Sequence, residues 1–341
     1  MALNAPAVTV VNPSFTEPGL ILPYSQSSGY RDLLAGGKAQ AKLSEGDLFV
    51  YLNRVDVRTQ AASGQAAVNQ LPGIDVTFSQ ISTPTYLLQV AADYNHHDVA
   101  AAGRRNASLP QLQQLGMRQA IFQLLRTATL YGFNPLLGEG VVNTNGATAV
   151  ILPPDSNANS TVVTYDNGQM ALFLLSQVAA LKTRTNQLGQ GRTFTFLGPQ
   201  RVLSLFEYAG VVQLTQYQRP GAGTETVTGM VKEILLGNGD KVLWAYDDTL
   251  IGKGQGGTDA VLLVMPEVEK PLHGGDTDTN VFAEVAPGFD ACVTLYTDMP
   301  MPREIYSPLP RGGTDVLMEM RSTSGFGVRP EAVTIISMQY Q

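Results

Sequence analysis

The sequence predicts an α+β fold, and three observations carry that expectation. One long amphipathic helix stands at residues 109–131, two strand-like runs joined by a soft tip precede it, and helix and strand signals mix from 150 to 285. Ser108 can cap the long helix, Pro110 sits in its first turn where a missing N–H costs nothing, and Gly132 stands where a C-terminal glycine belongs. Leu112, Leu115, Met117, Ile121, Leu124, Leu125 and Ala128 recur at spacings of three and four. That spacing predicts one apolar stripe facing a core, with Gln111, Gln114, Arg118 and Arg126 facing away. The rod would be roughly 35 Å long.

Residues 1–46 contain Pro6, Pro13, Pro18 and Pro23 between short apolar pieces. Prolines at this density oppose a helix or a central strand, so the stretch reads as an extended arm without a core of its own. From Asp47, DLFVYLNRVDVRTQ sets Phe49, Tyr51, Val55 and Val57 in alternation, and a second run, GIDVTFSQISTPTYLLQVAA, starts at Gly73. The small, polar TQAASGQAAVNQLP between them makes 47–92 a long hairpin with too few large residues to stand alone in water. Such a hairpin must lie on another surface, and that surface could belong to another copy of the chain.

A short helix is expected from Asp93 to Ala102, and GFNPLLGEGVVNTNGA is a turn-rich boundary. Asp166 or Asn167 caps MALFLLSQVAALKTR, a helix with Lys182 and Arg184 at its C-terminal end, where cations suit the dipole. RTFTFLG reads as a strand and PQRVLSLFEYAG as a helix opening at Pro199 and closing at Gly210. ETVTGMVKEILLG, KVLWAYDD and AVLLVMPEVE read as strands. DACVTLYT, DVLMEMRST and AVTIISMQY are three closing strands expected to return and pack on the long helix.

With 341 residues, 44% of them hydrophobic, the chain can bury a sizeable core. Its 22 Lys+Arg against 29 Asp+Glu give a net charge of -7, and the basic residues are scattered along the sequence. Nothing in that scatter predicts the electrostatic footprint of nucleic-acid binding. The single Cys292 excludes an intrachain disulfide and reads as a small buried thiol. The N-terminus has no secretory signal pattern and no apolar run reaches the ~18 residues of a membrane span, so a cytosolic chain is expected.

The chemical leads are few. His96, His97 and Asp98 are adjacent, and neighbouring helix positions diverge too far to chelate as His at i and i+4 does. Asp276, Asp278 and Asn280 have the spacing of a calcium loop's first ligands, but Val281 and Pro287 stand at its sixth and twelfth positions. GKGQGG at 252–257 lacks the Gly-Lys-Ser/Thr order of a phosphate loop. Trp244 reads as a core anchor. Asp247, Asp248 and Asp259 are the acids on which a carboxylate-based glycoside hydrolase would have to draw. No catalytic set, cofactor site or metal site is expected.

The order of parts, with Tyr131, Gly132, Phe133, Asn134, Leu136, Leu137 and Gly138 after the long helix and GFGVRPEAV from Gly325 to Val333, resembles tailed-bacteriophage major capsid proteins of the Hong Kong 97 type. The resemblance implies an HK97-like capsid fold. Its parts would be an N-terminal arm (1–46), an extended β-hairpin loop over a neighbouring subunit (47–92), a peripheral domain with the spine helix (93–144), an axial domain (145–285) and return strands of the peripheral domain (286–341). It implies a structural protein, not an enzyme, that assembles in the host cytoplasm as hexamers and pentamers of an icosahedral virion shell enclosing double-stranded DNA without sequence-specific contact. Scaffold, portal and a cement or decoration protein are the further partners it implies. By position in that scheme, Arg54, Arg58, Gln60, Gln65, Asn69, Gln70 and Pro72 would touch other subunits, and Gly252–Gly257 would lie at the axial domain's periphery or symmetry axis. An encapsulin-like nanocompartment would share the fold. The type member links a loop Lys to a neighbour's Asn, yet residues 47–92 contain no Lys, so that covalent chain-mail is closed to this chain.

Overall fold

The computed structural model describes residues 28–58, 75–103, 108–185, 191–208, 210–211, 225–268, 290–310 and 312–341. Two short 3-10 turns, Tyr30–Leu33 and Ala35–Gly37, open the described chain, and Tyr30, Leu33, Leu34 and Ala35 are buried in them. The described end of the expected arm differs from an arm without a core, because Tyr30, Leu33 and Leu34 join the same apolar core as α2 and β9 of their own protomer. Pro6, Pro13, Pro18 and Pro23 lie outside the described residues.

Strand β1 (Gln40–Ala41) leads to β2 (Phe49–Arg58), which pairs antiparallel with β3 (Asp75–Asn95) from Phe49 opposite Pro84 to Arg58 opposite Asp75. β3 is 21 residues long and changes partner halfway. Asp75–Pro84 pairs with β2, whereas Thr85–Asn95 pairs with a later strand, so the hairpin is a continuous extension of a sheet. The changeover falls at Pro84, which has no N–H to give to a ladder. Helix α1 (His96–Gly103) starts only after β3 ends, so Asp93–Asn95 are strand and not the expected helix; Asn95 Oδ1 instead accepts the amides of His97 and Asp98.

Helix α2 (Leu109–Leu130) is the long helix, ended by Gly132 at φ 70°. Ser108 precedes it without a side-chain cap bond. The buried stripe is Met117, Ile121, Leu125 and Ala128. Leu112, Leu115 and Leu124 are exposed, contrary to expectation: Leu112 and Leu115 fall on the face opposite Met117, and Leu124 lies at the edge of the buried stripe.

After β4 (Thr148–Ile151), α3 (Asn167–Arg184) is capped by Asp166, whose carboxylate accepts the Gln169 amide. Then come β5 (Thr193–Gly198), α4 (Gln200–Tyr208), the short pair β6 (Gly210–Val211) and β7 (Glu225–Thr226), and α5 (Val227–Gly237). The segment of α5 was expected to be a strand. It is a helix because the Thr226 hydroxyl caps the Gly229 amide and Val227, Val231 and Leu235, four apart, are all buried on one core. β8 (Lys241–Tyr246), β9 (Asp259–Val264), β10 (Val293–Thr294), β11 (Tyr296–Thr297), β12 (Arg303–Pro308), β13 (Gly313–Thr323), β14 (Phe326–Gly327) and β15 (Val333–Met338) complete the chain.

Two main sheets result. One runs β1-β11-β13-β3-β2 with β12 also on β13; the other runs β4-β15-β9-β5-β8. All six residues of β9 are buried, because Val261 and Leu263 point into a core with α3, α4 and α5 while Ala260, Leu262 and Val264 point into a second core with α2 and β13. An uninterrupted apolar run is what a strand covered on both faces requires. β15 lies in the second sheet between β4 and β9, with Ile336 and Met338 in the α3 core and Val333 and Ile335 on the core that also holds Met117, Ile121 and Leu125 of α2.

Candidate functional site

The acids that would have to serve a hydrolase are engaged separately in holding loops. Asp247 accepts from Ser28 Oγ and from the Thr249 amide and hydroxyl, Asp248 accepts the Gln200 amide, and Asp259 holds Arg201 through two bonds of 2.8 and 2.6 Å and also accepts the Gly252 amide. Among the described residues no cluster of His, Cys, Asp and Glu is arranged to hold a metal ion. His96 and His97 lie ring against ring, 3.9 Å between centroids, on the exposed first turn of α1. Asp276, Asp278 and Asn280 lie outside the described residues. No helix among the described residues is long and apolar enough to cross a membrane.

Trp244 stacks on Phe196 at 4.6 Å against the α3 core, in keeping with an anchor. Cys292 is fully buried, and burial pushes its thiol up to about 12. The native protein is therefore expected to resist iodoacetamide at pH 8 and to react once urea unfolds it; rapid labelling of the folded chain would contradict that burial. The 252–257 loop is a turn in which Gly254 donates to the Thr258 carbonyl and Gln255 donates to Ser337 Oγ. Lys253 Nζ lies over the Tyr131 ring at 5.6 Å.

The surface that stands out is the β2–β3 flap. Because opposite residues of an antiparallel pair share a face, Phe49, Tyr51 and Val55 lie on the same side as Phe78 and Val76. All five are exposed, Phe78 at 75% and Tyr51 at 58%, and residues 75–80 are exposed on both faces. Arg54, opposite Ser79, is exposed on the reverse face. Arg58 ends β2 opposite Asp75, and Gln60, Gln65, Asn69, Gln70 and Pro72 lie outside the described residues. The apolar flap residues were visible in the sequence as a strand alternation; what the alternation does not reveal is that the face carrying Phe49, Tyr51, Val55, Val76 and Phe78 stays exposed, whereas the reverse face is covered at its root, where Thr83 is buried.

A second feature lies at the C-terminal end of α2. Glu139 is only 3% exposed; its Oε1 accepts Tyr86 OH at 2.8 Å, and its Oε2 accepts the Phe133 amide at 3.2 Å, the Asn134 amide at 2.9 Å and Ser324 Oγ at 2.7 Å. Burial, and then the bond and charge of Glu139, push Tyr86 up to about 12. One carboxylate thus ties the root of the flap, the end of the long helix and β13's continuation together. Gly140, at φ 85°, makes this closure sterically possible, since a Cβ there would fall 2.3 Å from the Tyr131 carbonyl carbon. The closed turn pushes Leu136 and Leu137 outward, 95% and 63% exposed.

No protein-family model matches the sequence, and no curated protein matches it. Among solved structures, the chain is similar to the capsid of Myoviridae phage XM1, with a TM-score of 0.68 over 95% of this chain and 96% of that one at 8% identity. It is similar to the capsid of an empty GTA particle, with a TM-score of 0.59 over 99% and 100% of the two chains at 12% identity. A Mycobacterium phage Che8 structure gives 0.55 over 97% and 98% at 11% identity. Across nearly its whole length, the chain therefore has the α+β, HK97-like fold of these capsid structures.

Proposed function

We propose that the chain is a structural major capsid protein, one that self-assembles through hexamers and pentamers into the icosahedral head of a tailed phage and encloses its double-stranded DNA. The observation that carries this reading is a flap whose aromatic face its own protomer leaves exposed, in a chain that is similar to capsid structures over nearly its whole length. Aromatic side chains exposed on a two-stranded ribbon favour burial against a partner, and a second copy is the partner a shell supplies at every position. In this reading the flap reaches over a neighbour, Arg54, Arg58 and the tip residues Gln60, Gln65, Asn69, Gln70 and Pro72 meet it, and the α3–α5 unit with the 252–257 loop faces the hexamer and pentamer centres. Scaffold, portal and a cement or decoration protein act in host-cell assembly, and the subunit performs no catalysis.

Negative-stain microscopy of the protein, expressed alone and together with the genes that flank its own, is expected to show shells or rings. A uniformly small species under both conditions would overturn the proposal. Boiled particles on a denaturing gel should run as a monomer band near 36.5 kDa, since no Lys between 47 and 92 is there to form an isopeptide with a neighbour. A ladder of linked subunits would show that covalent bonds, and not overlap of arm and flap, hold the shell.

A further inference from the structure

Arg31, distant in the sequence, comes to the face of α2 that carries Arg118 and Arg126. A groove of about 540 Å³ runs between that face and the segment Ser28–Arg31, and Arg31, Arg118 and Arg126 line it together with Gln119, Gln123 and Phe122. Among the described residues that line it there is no carboxylate, Glu304 being the acid bonded to Arg118, although the chain as a whole carries a charge of -7. The fold thus adds Arg31 to two arginines that α2 already presents.

The three guanidinium groups are held in different ways. Arg31 lies over the Phe122 ring at 5.3 Å, Arg118 gives one nitrogen to Glu304 at 2.7 Å, and Arg126 Nε is buried without a hydrogen-bond partner. A guanidinium has five N–H donors, so each keeps some to offer, and stacking on an aromatic ring orders Arg31 before any ligand arrives. Arg118 and Arg126 stand two turns apart, about 12 Å along the helix. An extended polyanion can bridge that distance, whereas one small anion cannot. The glutamine amides add neutral donors of the kind that bind phosphate oxygens.

We propose that this groove is a contact site for the phosphate backbone of double-stranded DNA, independent of sequence. The inference rests on the capsid reading, and it identifies the α2 groove as the face turned to the enclosed genome. One subunit would bind weakly, in the range of about 10⁻⁴ to 10⁻⁶ M typical of non-specific contacts, and the many copies of a shell would act on one polymer together. A net negative subunit with a small basic groove limits adhesion elsewhere while giving the packaged duplex a defined place to rest.

Fluorescence anisotropy of a short labelled duplex with the purified full-length subunit tests this. Log K should fall against log salt with a slope of about −2 to −3, near 0.9 per neutralised phosphate. Arg31→Gln with Arg126→Gln should remove about 2 from that slope, equally for duplexes of different sequence. Gln119→Glu with Gln123→Glu removes no arginine and should still weaken binding at low salt, which guards against a misfolded arginine variant. No binding by the unaltered subunit, an unchanged slope in the arginine variant, or tighter binding of a polyglutamate peptide than of the duplex would each overturn the proposal; the last would mark a site for an acidic polypeptide. Microscopy of the same preparations keeps the two readings apart. Absence of shells from the unaltered protein counts against the capsid, and an unchanged salt slope counts against the groove.

Discussion

Tyr51→Asp combined with Phe78→Asp is expected to abolish shell formation while leaving the subunit folded, with a thermal midpoint within about 2 °C of the unaltered protein. The two rings are 58% and 75% exposed and share one face of the flap, so neither substitution opens a cavity. Surface changes of this kind usually move stability by no more than about 0.5 kcal/mol. Assembly is another matter. Burying an aromatic side chain contributes about 2 kcal/mol, and an aspartate carried into the same contact adds an unpaired charge that resists desolvation. The loss of several kcal/mol recurs at every subunit contact in a closed shell, and assembly is correspondingly steep in it. Negative-stain counts of particles beside a melting curve read both quantities, and normal shell yield from the double variant would show that the flap's apolar face is not the contact. Arg54→Ala, on the reverse face, should have a smaller effect, since rim charges contribute less than desolvated aromatic anchors.

Local chemistry made much of the fold legible. The α2 boundaries follow from Pro110 and Gly132, α3 from its Asp166 cap, and β9 from an apolar run long enough to be buried on both faces. Local chemistry also misled where tertiary packing chose between two periods. Val227, Thr228, Val231 and Ile234 have β-branched side chains suited to a strand, yet the four-residue spacing of Val227, Val231 and Leu235 and the Thr226 cap were the signals of a helix. Leucines on two faces of α2 were merged into one stripe, which concealed the second face on which Leu115 and Phe122 border the arginine groove. The extended loop was legible as an alternation, but burial depends on partners that a sequence does not state. Glu139 left a fainter trace: an acid between two glycines that both take positive φ, in a turn where backbone amides have few other acceptors.

That buried acid carries the second large effect. Glu139→Ala is expected to lower unfolding free energy by about 4 kcal/mol, measured by urea melts, because the Tyr86 hydroxyl, the Asn134 amide and the Ser324 hydroxyl lose their acceptor at once, while the Phe133 amide keeps Ser324 Oγ, and each unsatisfied buried donor costs about 1–3 kcal/mol before water enters to replace part of it. A typical domain has only about 5–15 kcal/mol to lose. Glu139→Gln separates shape from charge. The amide oxygen can keep the Phe133, Asn134 and Ser324 bonds, and the Tyr86 hydroxyl can turn to accept from the new NH₂ group, so a loss of about 1 kcal/mol is expected. The charge has its own readout in the tyrosine. Tyr86 ionises near 12 in the folded protein and near 10 when unfolded, so its contribution is complete below pH 10 and is lost as pH rises towards 12. Burial, the larger cause, survives in Glu139→Gln while the carboxylate's bond and charge do not. The variant's tyrosine should therefore titrate lower, followed by absorbance at 295 nm, and the variant should lose less stability between pH 10 and 12 than the unaltered chain. An unchanged titration would mean that burial alone raises Tyr86 and that the carboxylate is only a steric filler. A lowered one would show a charged tie joining the flap's root to the helix end, beside the apolar packing of Leu88 on Met117, Ile121 and Leu125.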